Sequence, residues 1–152
     1  MFSNRWAILG VLVVVRIAMG IQFQAVASIT PVIAGDLHLD YAELGTLVGL
    51  YMLPGAFIAI PGGFLGSRFS DFAMVALGVA TMVVGGVVAG FADGFTMLAA
   101  GRLISGAGAV IQSIFLVKMI TEWFGEGEVI TATAIMLTGW PTGIAIALAT
   151  LG

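Results

Sequence analysis

Five apolar stretches, at about 6–34, 42–66, 72–91, 96–121 and 129–151, take up nearly the whole chain. About 20 residues of helix cross the hydrocarbon of a bilayer, and each stretch reaches that length. The breaks between them are short and polar: Gly35–Asp40, Ser67–Asp71, Ala92–Gly94 and Glu122–Glu128. Backbone in lipid must satisfy its own hydrogen bonds, which leaves helices or a closed barrel. Barrel strands alternate over roughly 10 residues; these runs are continuous, so the expected fold class is all-α, a polytopic membrane protein of five transmembrane helices. Short connections make successive helices antiparallel neighbours.

Composition excludes the soluble alternatives. Hydrophobic residues are 61% of the chain and charged residues 9%, with a mean hydropathy of +1.18. A 152-residue chain cannot hide that much apolar surface from water in one core, and it has no room for a soluble catalytic domain beside five spans. It has no Cys and one His, His38, so thiol chemistry and Cys- or His-rich metal sites are excluded and an enzyme is not expected; nothing implies a metal or cofactor. A net charge of −3 with five cations argues against nucleic acid as a partner, and no Lys/Arg run suggests anionic-lipid binding. Arg5, the following apolar run and Ala25-Val26-Ala27 have the layout of a secretory signal. Arg16 interrupts that run and the stretch is long, so it is read as a retained first helix.

Loop cations set orientation. Arg5, Arg68 and Lys118 fall on one side if the helices alternate, and the opposite breaks carry no Lys or Arg. The N-terminus is therefore expected in the cytoplasm, with the protein in the cell membrane.

Two arginines stand where lipid should be. Arg16 lies about 15 Å into the first span at 1.5 Å per residue, and Arg102 lies inside the outer end of the fourth. A central Arg costs about 2.5–3.5 kcal/mol even on the insertion scale; Lys118, near a helix end, can snorkel. On a 3.6-residue period Arg16 shares a face with Gly20, Phe23 and Ala27, with Gln24 on its flank. Arg102 shares one with Gly106, Ala109 and Ser113, flanked by Gln112. A guanidinium fork suits carboxylates, phosphates and other planar oxyanions. One reading is thus an anion site between the first and fourth helices, formed by Arg16, Gln24, Arg102 and Gln112. The other is that one or both arginines bond backbone carbonyls and hold helices together, a role that suits Arg102 better than Arg16.

The sequence also repeats. Arg16-x-x-x-Gly20 and Arg102-x-x-x-Gly106 lie 86 positions apart, and Pro54 and Pro141 lie 87 apart. Three helices per repeat, an odd number, invert the second copy, as in secondary transporters. Pro54, Pro61 and Pro141 are expected to bend their helices. Gly45/Gly49, Gly62/Gly66, Gly86/Gly90 and Gly139/Gly143 are one turn apart, as helix-packing notches are. Trp6 and Trp123 sit where interfacial aromatics are preferred; Trp140 lies deeper and suits packing or a cavity wall.

Three places resemble the Major Facilitator Superfamily. Gly62-Gly63-Phe64-Leu65-Gly66-Ser67-Arg68 is similar to its loop Gly-x-Leu-Ala-Asp-Arg-x-Gly-Arg-Arg between helices two and three. Arg102-Leu103-Ile104-Ser105-Gly106-Ala107-Gly108 resembles its fourth-helix Arg-x-x-x-Gly-x-Gly. Glu122-Trp123-Phe124 with Gly139-Trp140-Pro141-Thr142-Gly143 is similar to the cyanate/nitrate-like anion branch. The resemblance implies a partial N-terminal bundle over 1–152, helices one to five of twelve, made of inverted three-helix repeats. It also implies alternating access about a midplane site, and a partner that is a missing C-terminal half or a second copy. In the loop motif Gly63 and Arg68 match, whereas Ser67, Ser70 and Asp71 depart from the family's Asp, Gly and cation, which puts the latch that this loop forms in doubt. The resulting expectation is a secondary transporter of a small anionic solute. A proton-coupled exporter of neutral or cationic compounds would call for buried acidic residues that are not seen here; a non-transporting scaffold would make Arg16 replaceable.

Overall fold

The computed structural model describes residues 4–65 and 69–152, at 59–60 and 62–65 as backbone only. Among these residues it is wholly helical: α1 Arg5–Ser28, α2 Thr30–Asp36, α3 Tyr41–Leu50, α4 Leu53–Leu65, α5 Asp71–Gly90, α6 Phe95–Trp123 and α7 Val129–Leu151. Five segments are long and apolar enough to cross a membrane: α1, Tyr41–Ile58 (running from α3 into α4), α5, α6 and α7. The polar breaks supply the caps. Asn4 accepts from the Trp6 amide, Ser70 from that of Ala73, and Asp40 and Glu43 form a reciprocal capping box that satisfies two otherwise orphaned amides.

Two of the five expected spans are not single helices. The stretch 6–34 ends as α1 at Ser28 and resumes as the short α2, whose first turn contains Pro31. Proline suits the first turn of a new helix but has no N–H to continue an old one. The stretch 42–66 breaks at Tyr51–Met52, ahead of Pro54, because the proline ring clashes with the carbonyl four residues back, that of Leu50, and has no N–H to donate to it. Pro61 and Pro141 lie inside helices that continue through them, so these two do not end their helices.

The core is layered along the bundle. At the end carrying Arg5 and Lys118, Leu9, Leu12, Phe115, Leu116, Ile120 and Met136 form the largest cluster. Val26, Leu44, Leu47 and Leu98 form another at the opposite end. Between them lies a thin middle layer of Met19, Tyr51, Met82 and Ala109, with Phe23 and Trp140 against it. The end carrying Arg5 and Lys118 is also pinned by ion pairs, Arg5–Glu128 at 2.9 Å and Lys118–Asp71 at 2.6 Å.

Helix pairing follows the repeat crosswise. A Cβ on Gly20 of α1 would strike the Trp140 carbonyl of α7, and one on Gly106 of α6 would strike the Tyr51 carbonyl at the α3–α4 break. First span against fifth thus mirrors fourth against second, as an inverted three-helix repeat requires. Only glycine lets these backbones meet. Of the four expected glycine pairs, Gly139/Gly143 does this against α1, Gly86 meets only the Gln22 side chain, and Gly90, Gly45 and Gly49 meet nothing within 4 Å among the described residues. Gly62/Gly66 lies outside what the described residues settle. The closest pairing, α5 with α6, uses glycines seven apart instead: Gly78 and Gly85 against Gly101 and Gly108.

Candidate functional site

The middle layer is where polar side chains accumulate, and one of two cavities opens there. Arg102, 2% exposed, is held entirely by backbone. Its Nε donates to the Leu47 carbonyl at 3.1 Å, Nη1 to that of Gln22 at 2.9 Å and Nη2 to that of Phe23 at 3.1 Å. The local cause is the break before Pro54. With α3 ending at Leu50, its last four carbonyls, Leu47 included, lack helical partners, and Arg102 caps one while tying α3 to α1. The guanidinium also lies 4.6 Å from the centre of the Tyr51 ring.

Arg16 is held differently. Its Nη1 donates to Ser113 Oγ of α6 at 2.9 Å and lies 3.7 Å from Met19 Sδ. The guanidinium sits 5.4 Å from the centre of the Trp140 ring, mirroring the Arg102–Tyr51 contact across the repeat. Nε is buried without a partner, and Nη2 has none among the described residues. No Asp or Glu lies near: all eight are in loops or at helix ends. Arg16 lines a cavity of about 440 Å³ with Tyr51, Met52, Val110, Ser113 and Trp140. The aromatic wall is braced by Phe23, which meets Tyr51 edge-on at 5.5 Å and Trp140 at a tilt at 5.2 Å between ring centres.

The two arginines therefore do not converge. Arg102 lines a second cavity, of about 450 Å³, between α1, α2, α5 and α6, with Gln22, Ser105 and Asp36. The two glutamines expected beside them lie elsewhere. Gln24 is half-buried and makes no side-chain hydrogen bond among the described residues. Gln112 is fully buried against α5, its Nε2 3.6 Å from Met82 Sδ and its Oε1 unpartnered, and lines neither cavity. The inward amide of α1 is Gln22, which donates to the Met82 carbonyl at 2.7 Å and to Ser105 Oγ at 3.0 Å. The buried residues of α1 are Ile8, Leu9, Leu12, Met19, Gly20 and Val26; Gln22 is three after Met19 and four before Val26, whereas Gln24 is four after Gly20, which packs on α7. Counting from Met19 and Val26 rather than from Arg16 would have found Gln22. Of the loop motif, Asp71 heads α5 and binds Lys118, Gly63 is described as backbone within α4, and Arg68 lies outside the described residues.

Comparison with known proteins matches the Major Facilitator Superfamily over residues 12–152, the family that the three motifs resemble. The chain is 26% identical over 146 residues to the uncharacterized MFS-type transporter Rv1250 of Mycobacterium tuberculosis (strain ATCC 25618 / H37Rv), a match that covers 96% of this chain and 24% of that protein. It is 30% identical over 73 residues to the inner membrane transport protein YajR of Escherichia coli (strain K12), covering 48% of this chain and 16% of that one.

Proposed function

Because the chain belongs to the Major Facilitator Superfamily, an integral multi-pass membrane family, we propose that it forms part of a secondary transporter for a small anionic solute, with Arg16 as the ligand of the anion. One observation carries this reading: Arg16 borders a cavity in the middle layer of the bundle, with a guanidinium nitrogen unpartnered and no acidic residue in the lining among the described residues. A charge kept in a membrane for structure alone is normally paired or bonded to backbone, as Arg102 is, and an ionisable group facing a cavity marks a solute path. Substrate sites of inverted-repeat transporters lie near the midplane, where repeats meet; Arg16 belongs to the first repeat and Ser113, its hydrogen-bond partner, to the second.

In this reading Arg102 is a brace between α1 and α3, Gln112 and Gln24 make no contact with the solute, and Gln22 lines the neighbouring cavity. Transport proceeds by alternating access of this bundle against a second, supplied by a C-terminal half or another copy. The N-terminus and the end of the bundle that carries Arg5, Asp71 and Lys118 face the cytoplasm, in a cell membrane. The test uses the full-length protein, purified in detergent. Its melting temperature is measured in sodium salts of varied anion and in chlorides of varied cation, at one ionic strength. Saturable stabilisation that follows the anion, and that Arg16→Gln removes, supports the proposal. Stabilisation that follows the cation alone, or that Arg16→Gln leaves intact, overturns it.

A further inference from the structure

The lining of the Arg16 cavity says more than the sign of its ligand. We infer that the ligand is an organic monocarboxylate with a flat, apolar body, rather than an inorganic oxyanion; this rests on the assignment of Arg16 to the substrate.

The polar equipment of the cavity is small and gathered at one end. It consists of the Arg16 guanidinium and the Ser113 hydroxyl, 2.9 Å apart. Tyr51 adds little, because its hydroxyl is turned to Met82 Sδ of α5, 3.9 Å away, and it offers the cavity its ring. Among the described residues the rest of the lining is apolar apart from the Trp140 indole N–H: Met19, Met52, Val110, Ile114 and the Trp140 ring, with the small residues Gly55, Gly106 and Ala109. Nitrate, sulfate and phosphate carry oxygens on every side, and each oxygen turned to an apolar wall without a donor is penalised. A carboxylate gathers its charge in two oxygens at one end, which one guanidinium edge can meet in two-point geometry. One cation in the lining among the described residues matches a single negative charge.

The apolar part must hold something besides the charge. A volume of about 440 Å³ is in the range of small-molecule clefts and far exceeds what a bare oxyanion fills. The wall is aromatic and stiff: Trp140 stands over Arg16 at 5.4 Å, and Phe23 locks it to Tyr51. Trp140 thus borders both the charged end and the apolar body, where a ring attached to a carboxylate would stack offset against it. The small glycine and alanine residues leave room for a flat molecule to approach backbone.

Calorimetric titration of the full-length protein in nanodiscs separates the outcomes. The probes are benzoate, acetate, nitrate, sulfate and uncharged benzamide, at constant sodium. The inference expects benzoate to bind at least tenfold tighter than acetate, nitrate or sulfate, and benzamide to bind at least tenfold more weakly than benzoate. Trp140→Leu lowers benzoate affinity and leaves acetate nearly unchanged; Val110→Ser, which puts a hydroxyl into the apolar wall without removing the stack, lowers it too and serves if the Trp140 variant does not fold. Tightest binding by nitrate or sulfate, abolished by Arg16→Gln, overturns this inference and leaves the anion site standing. Equal binding of benzamide and benzoate, indifferent to Arg16→Gln, overturns both. Absence of saturable binding by any carboxylate also overturns the inference.

Discussion

Arg16 and Arg102 occupy matching positions of the repeat, each four residues before a glycine that meets a backbone carbonyl and each over an aromatic ring, yet they are differently engaged. Arg102 donates through all three nitrogens to carbonyls of α1 and α3. Arg16 makes one oxygen-directed hydrogen bond, to Ser113, at the wall of a cavity. The same motif thus braces backbone in one copy and borders a cavity in the other, where we propose that it binds the solute.

The first prediction follows from the Arg102 side. Its three bonds radiate to separate carbonyls, which a single ammonium cannot reproduce. Arg102→Lys therefore loses at least one of them, at about 1.5–3 kcal/mol for a hydrogen bond to a charged group, and Arg102→Ala loses all. The melting temperature and membrane abundance of the full-length protein should fall in that order. Equal melting temperatures for the native protein and Arg102→Ala would contradict the bracing role.

Hydropathy made the five spans legible, because crossing a bilayer needs length and apolarity and little else. It left invisible what occurs inside a span. The breaks at Ile29 and at Tyr51–Met52 arise from Pro31 and Pro54 acting locally, within runs that stay apolar throughout. Pro54 is conspicuous in the sequence, but that its break would free the Leu47 carbonyl for Arg102 is a tertiary fact. Gln24 stood out because it neighbours the Arg16 face; the inward amide is Gln22, between the buried Met19 and Val26. Glycine pairs four apart drew attention, while the α5–α6 contact uses Gly78, Gly85, Gly101 and Gly108, whose spacing of seven is the other period that returns to one helix face.

The glycines give the second prediction. A Cβ at Gly143 would collide with backbone of α1, whereas one at Gly45 would meet nothing within 4 Å among the described residues. Gly143→Val should destabilise by the roughly 1–3 kcal/mol typical of overpacking. Gly45→Val should leave stability unchanged or raise it by a few tenths of a kcal/mol, because valine is the better helix former and glycine gives up more chain freedom on folding. Thermal unfolding of the two variants checks this, and a larger loss for Gly45→Val would speak against the described α1–α7 contact.

Orientation is the third. The ends carrying Arg5 and Lys118 coincide, and the expected cytoplasmic side is theirs. Single cysteines replacing Asp93 and Glu126, both exposed in loops, are to be placed in an otherwise Cys-free background. An impermeant thiol reagent outside intact cells should label position 93 and spare position 126. The reverse pattern would invert the topology.

The central claim is that the Arg16 guanidinium binds the substrate anion. It is tested most directly by the affinity of full-length Arg16→Lys and Arg16→Gln for benzoate and acetate, at matched abundance and melting temperature. Losing the two-point geometry, then the charge, should weaken binding in that order. Arg16→Gln should fall by roughly 10–150-fold, the equivalent of one charge-assisted hydrogen bond of about 1.5–3 kcal/mol. Unchanged affinity for both anions in Arg16→Gln would contradict the account and return Arg16 to a structural role.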